Sequence, residues 1–193
     1  MKVSRVEAAQ NRERIIEVAA KLFRERGFDG IGVAELMKSA GLTHGGFYGN
    51  FASKEDLMAQ ACARALGGSL DAMRQLAERD GENALSAVAS AYLSPAHRDR
   101  PGEGCALAAL GAEAGRHGSP LRGAFTQGVR SMVDMLTRLV PGKSRRAKRE
   151  KVLVIYASMV GALVLARAVD DAELSEEVLQ SVLASIAHTD SPS

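Results

Sequence analysis

Tryptophan is absent from this 193-residue chain, cysteine occurs twice, proline five times, and aromatic residues make up only 4% of it. Two cysteines, Cys62 and Cys105, are too few for a disulfide-built fold, so the chain must cohere by burying apolar surface. Its 46% apolar composition is enough for that. Few prolines, and long stretches of Ala, Leu, Val, Glu and Arg without strand-like alternation, predict an all-α protein. Residues 1–14 are polar and lack the apolar stretch of a secretory signal. The longest apolar run, 152–166, lies between Lys151 and Arg167 and falls short of the roughly 20 residues a bilayer requires. It predicts a buried helix, no membrane partner and a cytoplasmic location with reduced thiols. The histidines His44, His97, His117 and His188 are scattered without ligand spacing, and neither a nucleophile triad nor a phosphate loop is present. No metal, no cofactor and no enzymatic activity are expected. A formal charge of +2 neither supports nor excludes nucleic acid, because clustering matters more than the sum.

What is present is helical periodicity broken by glycine. Ile15, Ile16, Ala19, Leu22 and Phe23 make residues 11–26 an amphipathic helix that stops at Gly27. Val33, Leu36, Met37 and Ala40 repeat the pattern in a second, two-turn helix that ends at Gly41. Thr43 is placed to cap a third helix over 43–51, with Phe47, Tyr48 and Phe51 as its apolar face, and Ser53 to cap a fourth that runs to about residue 78. Five more helices are expected between 82 and 187, about nine in all, separated by 94–104, 118–120, 141–142 and 170–175. The segment 94–104, with two prolines, two glycines and several charges, is expected to be the least ordered.

Three helices at the amino-terminal end, the second and third joined by a glycine-containing turn, make the helix-turn-helix frame that presents its last helix to the DNA major groove. That third segment contains Gly45, Gly46 and Gly49. Each glycine costs roughly 1 kcal/mol against alanine inside a helix, so the sequence is a poor choice for helical stability. Missing side chains let a backbone approach phosphates and base edges, while Phe47 and Phe51 hold it from behind. A glycine-rich loop with buried aromatics is the alternative reading.

Thr43-His44-Gly45-Gly46-Phe47-Tyr48-Gly49-Asn50-Phe51-Ala52-Ser53-Lys54-Glu55-Asp56-Leu57 resembles the recognition segment of the tetracycline-repressor-like (TetR) family of bacterial transcriptional regulators, T-x-G-x-[LF]-Y-x-x-F-x-S-K-E-x-L. Ala19-Ala20-Lys21-Leu22-Phe23, Gly27-Phe28 and Val33-Ala34-Glu35-Leu36 fit the preceding frame. The resemblance implies a DNA-binding head over 1–53 and a helical ligand-binding and dimerisation domain over 54–193. It places His44, Gly45 and Gly46 against base edges, has Tyr48, Asn50 and Lys54 holding phosphates, and adds Val33 and Thr43 to the DNA-facing set. Gly32 stands where the family often has a capping Thr or Ser, and glycine supplies no hydroxyl for a cap or a phosphate contact there. The implied partners are a palindromic double-stranded operator, a second copy of the chain and a small-molecule effector.

Residues 152–166 are apolar all round and must be covered all round. Ile155, Met159 and Leu163 there, with Val178, Val182 and Ile186 on the last helix, are the expected dimer contacts. Leu66, Met73, Tyr92, Leu110, Phe125, Val129, Met132 and Met159 are candidate walls of an effector cavity. Glu113, a carboxylate in an apolar stripe, needs a partner, either a cationic ligand or Arg116. Cys105 follows a glycine at a helix start, where free N–H groups favour a thiolate, and a Gly-Cys there resembles electrophile- or oxidant-sensing members of the family. The alternative is a small buried apolar residue. The basic run Lys143, Arg145, Arg146, Lys148, Arg149 and Lys151 reads as a solvated loop and helix start.

Overall fold

The computed structural model describes residues 5–190, and among them every regular element is helical. The order is α1 (Arg5–Arg26), α2 (Val33–Ser39), a 3₁₀ turn (His44–Gly46), α3 (Lys54–Asp80), α4 (Ala84–Tyr92), α5 (Pro95–Asp99), α6 (Ala106–Ala114), α7 (Ser119–Leu136), α8 (Arg145–Ala168) and α9 (Ala172–Asp190). The chain forms two compact units. One takes the chain up to Gly67 together with Cys105–Thr126; the other takes Gly68–Gly104 together with the chain from Gln127 onward.

The first unit is the helix-turn-helix head with α6 and the start of α7 packed on it. Ile15, Ala19 and Phe23 of α1, Leu36 and Met37 of α2, Phe47 and Phe51, and Leu57 and Ala61 of α3 share one core with Ala106, Leu110, Ala114, Leu121 and Phe125. The compact boundary therefore does not follow residue 53. Leu110 and Ala114 lie one turn apart on α6, so a single face buries them against the head. Gly27 ends α1 in the left-handed region (φ 75°), and Gly41 ends the α2 segment the same way (φ 71°). There the Leu42 amide reaches back to the Met37 carbonyl at 2.9 Å, a closure that needs a residue tolerant of positive φ.

The second unit contains the segment expected to be least ordered, and the structure corrects that expectation. Ser94 caps α5 by accepting from the His97 amide, and Pro95 occupies its first turn. The His97 ring nitrogen Nδ1 lies 2.6 Å from the Tyr92 carbonyl, and Arg167 donates to the carbonyls of His97 (2.6 Å) and Arg98 (3.0 Å). A single side chain from distant α8, Arg167, thus satisfies two of the loop's carbonyls, which composition alone does not reveal. Two helices also start earlier than expected. The first begins at Arg5 rather than 11. The last begins at Ala172, because the Asp171 carboxylate accepts from the Glu173 and Leu174 amides and the buried Ser175 hydroxyl donates to the Ala166 carbonyl at 2.7 Å.

α8 has 24 residues, and an 18-residue window within it is long and apolar enough to cross a membrane by length and composition, with 39% of that window buried inside the chain. Its inward face carries Val152, Ile155, Tyr156, Met159 and Leu163, all buried in the chain's own core. Three of the residues expected at a dimer contact, Ile155, Met159 and Leu163, therefore pack within the chain, as does Ile186 of α9; Val178 and Val182 are half-buried. An all-apolar helix offers two faces, and hydropathy does not say which one the chain keeps for itself. The face left outside carries Leu153, Val154, Ala157, Val164 and Leu165 at i, i+3/i+4 and i+11 spacing.

Candidate nucleic-acid interface

α2 is joined to the reading segment by Gly41 and Leu42. The third helix expected over 43–51 is not formed: His44–Gly46 make one 3₁₀ turn, and residues 47–50 continue as turn. The backbone bonds explain it. Gly46 and Phe47 reach carbonyls three residues back, and from there to Phe51 the one bond of α-helical span is Phe51 N to Phe47 O at 3.0 Å. Three glycines in a segment this short remove the propensity that would convert such turns into an α-helix. Thr43 occupies the cap position, yet its hydroxyl makes no cap bond and it lies exposed.

Two aromatic anchors hold this thin segment. Phe47 and Phe51 are 1% and 3% exposed, their rings 5.6 Å apart, and the Arg12 guanidinium sits 5.3 Å over the Phe51 ring. Arg12 also bonds Gln60 of α3, tying α1 to the base of the segment. Outward of the anchors, Tyr48 is 70% exposed, with its ring edge-on to Phe47 (5.3 Å) and to His44 (6.1 Å). Burying that much aromatic surface against water is favourable, so an exposed Tyr48 beside an exposed His44 is a surface suited to an opposing partner. Gly45 is exposed, and a methyl added there meets no atom within 4 Å. The chain's own packing gives no reason for a missing side chain at this position.

Of the residues expected to face DNA, Thr43, His44, Gly45 and Tyr48 are exposed together on this segment, and Gly46 and Val33 are half-buried beside it. Asn50 and Lys54 are differently engaged. The Asn50 side-chain amide donates to the Gly46 carbonyl at 2.7 Å and braces the turn. The Lys54 ammonium donates to the Phe28 carbonyl at 2.6 Å. Gly32 caps α2 in extended conformation without a side-chain bond, as a residue lacking a hydroxyl must.

The head is clasped by the corner between α6 and α7. Glu113 accepts from the Phe28 amide at 2.9 Å, two residues beyond the end of α1. A methyl on Gly27 would come within 2.9 Å of the same carboxylate, which makes glycine doubly required there. The His117 ring stands edge-on to Phe28 at 5.3 Å, and the Gly118 amide donates to Glu55, in the first turn of α3, at 2.7 Å. Sequence reading missed this clasp because its donors are backbone amides, 85 and 63 residues from their acceptors.

The remaining candidates are divided between the units. Leu66, Leu110 and Phe125 belong to the head's core; Tyr92, Met132 and Met159 are buried in the second unit, where Met73 and Val129 are half-buried. Cys105 stands at the cap position of α6 and is 2% exposed. Cys62 is equally buried, and desolvation pushes its thiol up to about 12, with Arg24 opposing and Glu113 reinforcing the shift.

Residues 15–61 match the family model for bacterial regulatory proteins of the tetR family. The chain is 27% identical over 181 residues to the HTH-type transcriptional repressor NemR of Escherichia coli (strain K12), covering 89% of this chain and 91% of that protein. Residues 15–61 thus carry the amino-terminal domain of tetR-family regulators, and the chain is similar to such a regulator over most of its length. A second relative, the HTH-type transcriptional regulator YerO of Bacillus subtilis (strain 168), is 35% identical over 69 residues, 36% of this chain, and the match spans about a quarter of YerO's length. The solved structure of E. coli NemR in its reduced form superposes with a TM-score of 0.80 at 23% identity, covering 94% of this chain and 97% of that one, and shows the same fold. The amino-terminal head is thus a tetR-type DNA-binding helix-turn-helix, and the exposed segment anchored by Phe47 and Phe51 lies inside the matched residues.

Proposed function

We propose that this protein is a cytoplasmic, homodimeric repressor whose two heads read the halves of a palindromic operator and which is released by a small molecule or by modification of Cys105. The observation that carries the DNA-binding part is the turn 43–51, held from behind by two buried phenylalanines and presenting Tyr48, His44 and bare Gly45 outward. His44 is the base reader, Tyr48 and the flanking backbone hold phosphates, and Lys54 and Asn50 set the segment's position from within. One such segment covers too little surface for tight specific binding, and paired heads reading half-sites about 34–36 Å apart remedy that.

The second copy is the occupant we assign to the outer face of α8. Val154 and Leu165 are 68% and 56% exposed there, and Leu174 of α9 extends the apolar surface. A bilayer would require an apolar circumference, whereas this helix is apolar outside along one stripe and packed on α9 along the other. A stripe fits another helix. Its relatives are transcriptional regulators, which supports a protein whose work is binding rather than catalysis.

Release requires an effector that prefers the non-binding arrangement. α6 is the element through which an effector would act, since it starts at Cys105 and ends at the Glu113 clasp on the head. The test is an electrophoretic mobility shift of the DNA flanking the coding region, with and without N-ethylmaleimide. A shift that the reagent abolishes in the parent and not in Cys105→Ser supports the whole reading. Cys62 is the chain's other thiol, and the same assay on Cys62→Ser separates its contribution from that of Cys105. No shift with any flanking fragment at low salt overturns the regulator reading; a shift indifferent to thiol reagents removes only the cysteine.

A further inference from the structure

The basic run at the start of α8 has no place in DNA reading or pairing as described above, and the fold gathers it around a cleft. A cavity of about 650 Å³ opens between the end of α7, the following loop and the first turns of α8. Arg138, Lys143, Arg145, Lys148 and Arg149 line it, against one acid, Asp134, which is 3.0 Å from Arg149 and neutralises that residue. The other four cations form no ion pair among the described residues. Like charges gathered at close quarters raise each other's energy unless an anion lies among them. The volume falls within the range of small-molecule sites.

Two further features shape the cleft for an anion. Ser144 caps α8 by accepting from the Ala147 amide at 3.1 Å, and the amides of Arg145 and Arg146 before it are first-turn donors without an intrahelical acceptor. The positive end of a 24-residue helix therefore faces the same space as the side chains. Gly142 is bare because the Lys148 stem crosses it: a methyl there would come within 2.8 Å of Lys148 Cγ. The loop thereby lets Lys148 lie along the cleft wall.

We propose that this cleft is a binding site for an oligophosphate anion, one carrying at least three charges in a row. Four unpaired cations are too many for a single carboxylate. Arginine forks suit the paired oxygens of successive phosphoryl groups, and lysines supply point charges between them. A nucleoside triphosphate and an inorganic polyphosphate share this chemistry.

Isothermal titration of the full chain with tripolyphosphate, ATP and sulfate at matched ionic strength tests it. Tripolyphosphate is expected to bind with an affinity that falls as salt rises, and to lift the unfolding midpoint by about 3–5 °C at ten times its Kd. Arg138→Ala/Arg145→Ala, both exposed positions, should weaken it at least about tenfold without moving the midpoint of the free protein. Gly142→Ala, which displaces Lys148, should weaken it too. ATP binding as tightly as tripolyphosphate makes the triphosphate the recognised group; ATP binding more tightly assigns the site to a nucleotide. Absence of tripolyphosphate binding, equal affinity in the double variant, or sulfate competing on equal terms as an adventitious ion only, each overturns the proposal. So does a double variant that loses DNA mobility shift while tripolyphosphate leaves the parent unchanged, for the patch would then be a DNA contact.

Discussion

The reading turn at 43–51 and the outer face of α8 are both left uncovered by the chain's own packing, and they are uncovered in opposite ways. The turn is short of side chains and of helical bonds, and is anchored by Phe47 and Phe51 behind it and braced by Asn50. The α8 face has an excess: it belongs to a continuous 24-residue helix whose inner side alone fills the core. One surface gives a partner backbone and a few polar groups to approach, the other gives area to bury. Hydrogen-bond recognition of DNA needs the first, and association of two protein copies needs the second.

The sharpest way to break this comparison is to charge the α8 face. Val154→Glu/Leu165→Glu places two carboxylates where we assign the second copy, at positions 68% and 56% exposed in the single chain. The chain should fold unchanged yet sediment as a monomer, and its affinity for an operator should fall by at least about a hundredfold as one half-site is lost. An unaltered sedimentation coefficient would show that pairing uses another face. Next in size is Tyr48→Ala together with His44→Ala. Both side chains are exposed, so the unfolding midpoint should move little, while each loses about 1–3 kcal/mol of DNA binding. His44→Ala should relax preference at one base position, and Tyr48→Ala should weaken all sequences alike. If the two variants are indistinguishable across a set of operator substitutions, the assignment of reader and anchor falls.

Much of this was legible in the sequence. Glycines at 27 and 41 mark the ends of the first two helical segments, and the Ile15 to Phe23 periodicity marks the buried face of α1, because local backbone conformation and one buried face decide those features. The third helix fails to form for a reason the sequence itself contains: Gly45, Gly46 and Gly49 oppose it, and aromatic spacing that suggests a helix serves equally to anchor a turn. Glu113 stands out in the sequence as a carboxylate in an apolar stripe, but the Phe28 amide that donates to it carries no side-chain signature. Ile155 and Leu163 were placed on the wrong side of a helix that is apolar on both. In each case the missing information was tertiary: which distant backbone group, or which other helix, completes the local pattern.

A smaller effect probes the seam below the reading turn. Gly27→Ala forces a residue with a Cβ into φ 75° and drives it against the Glu113 carboxylate. The left-handed conformation alone costs about 1–2 kcal/mol. Glu113→Gln keeps an acceptor oxygen for the Phe28 amide and should cost less, and thermal unfolding of both variants measures the difference. If Glu113→Gln is as destabilising as Gly27→Ala, the carboxylate's charge matters more than its hydrogen bond.

The smallest change is the most discriminating between the two uncovered surfaces. Gly45 has a negative φ and open space around its missing methyl, so Gly45→Ala reduces the freedom of the unfolded chain without strain in the folded one. Stability should rise, by about 0.4–1 kcal/mol. If the turn is thinned to let backbone approach DNA, the same methyl occupies the contact zone, and operator affinity should fall while stability gains. Opposite signs for one methyl group would separate a surface selected for an opposing partner from one selected for the fold. A variant that gains stability and retains full affinity would mean that Gly45 is merely tolerated, leaving Tyr48 and His44 to account for the reading.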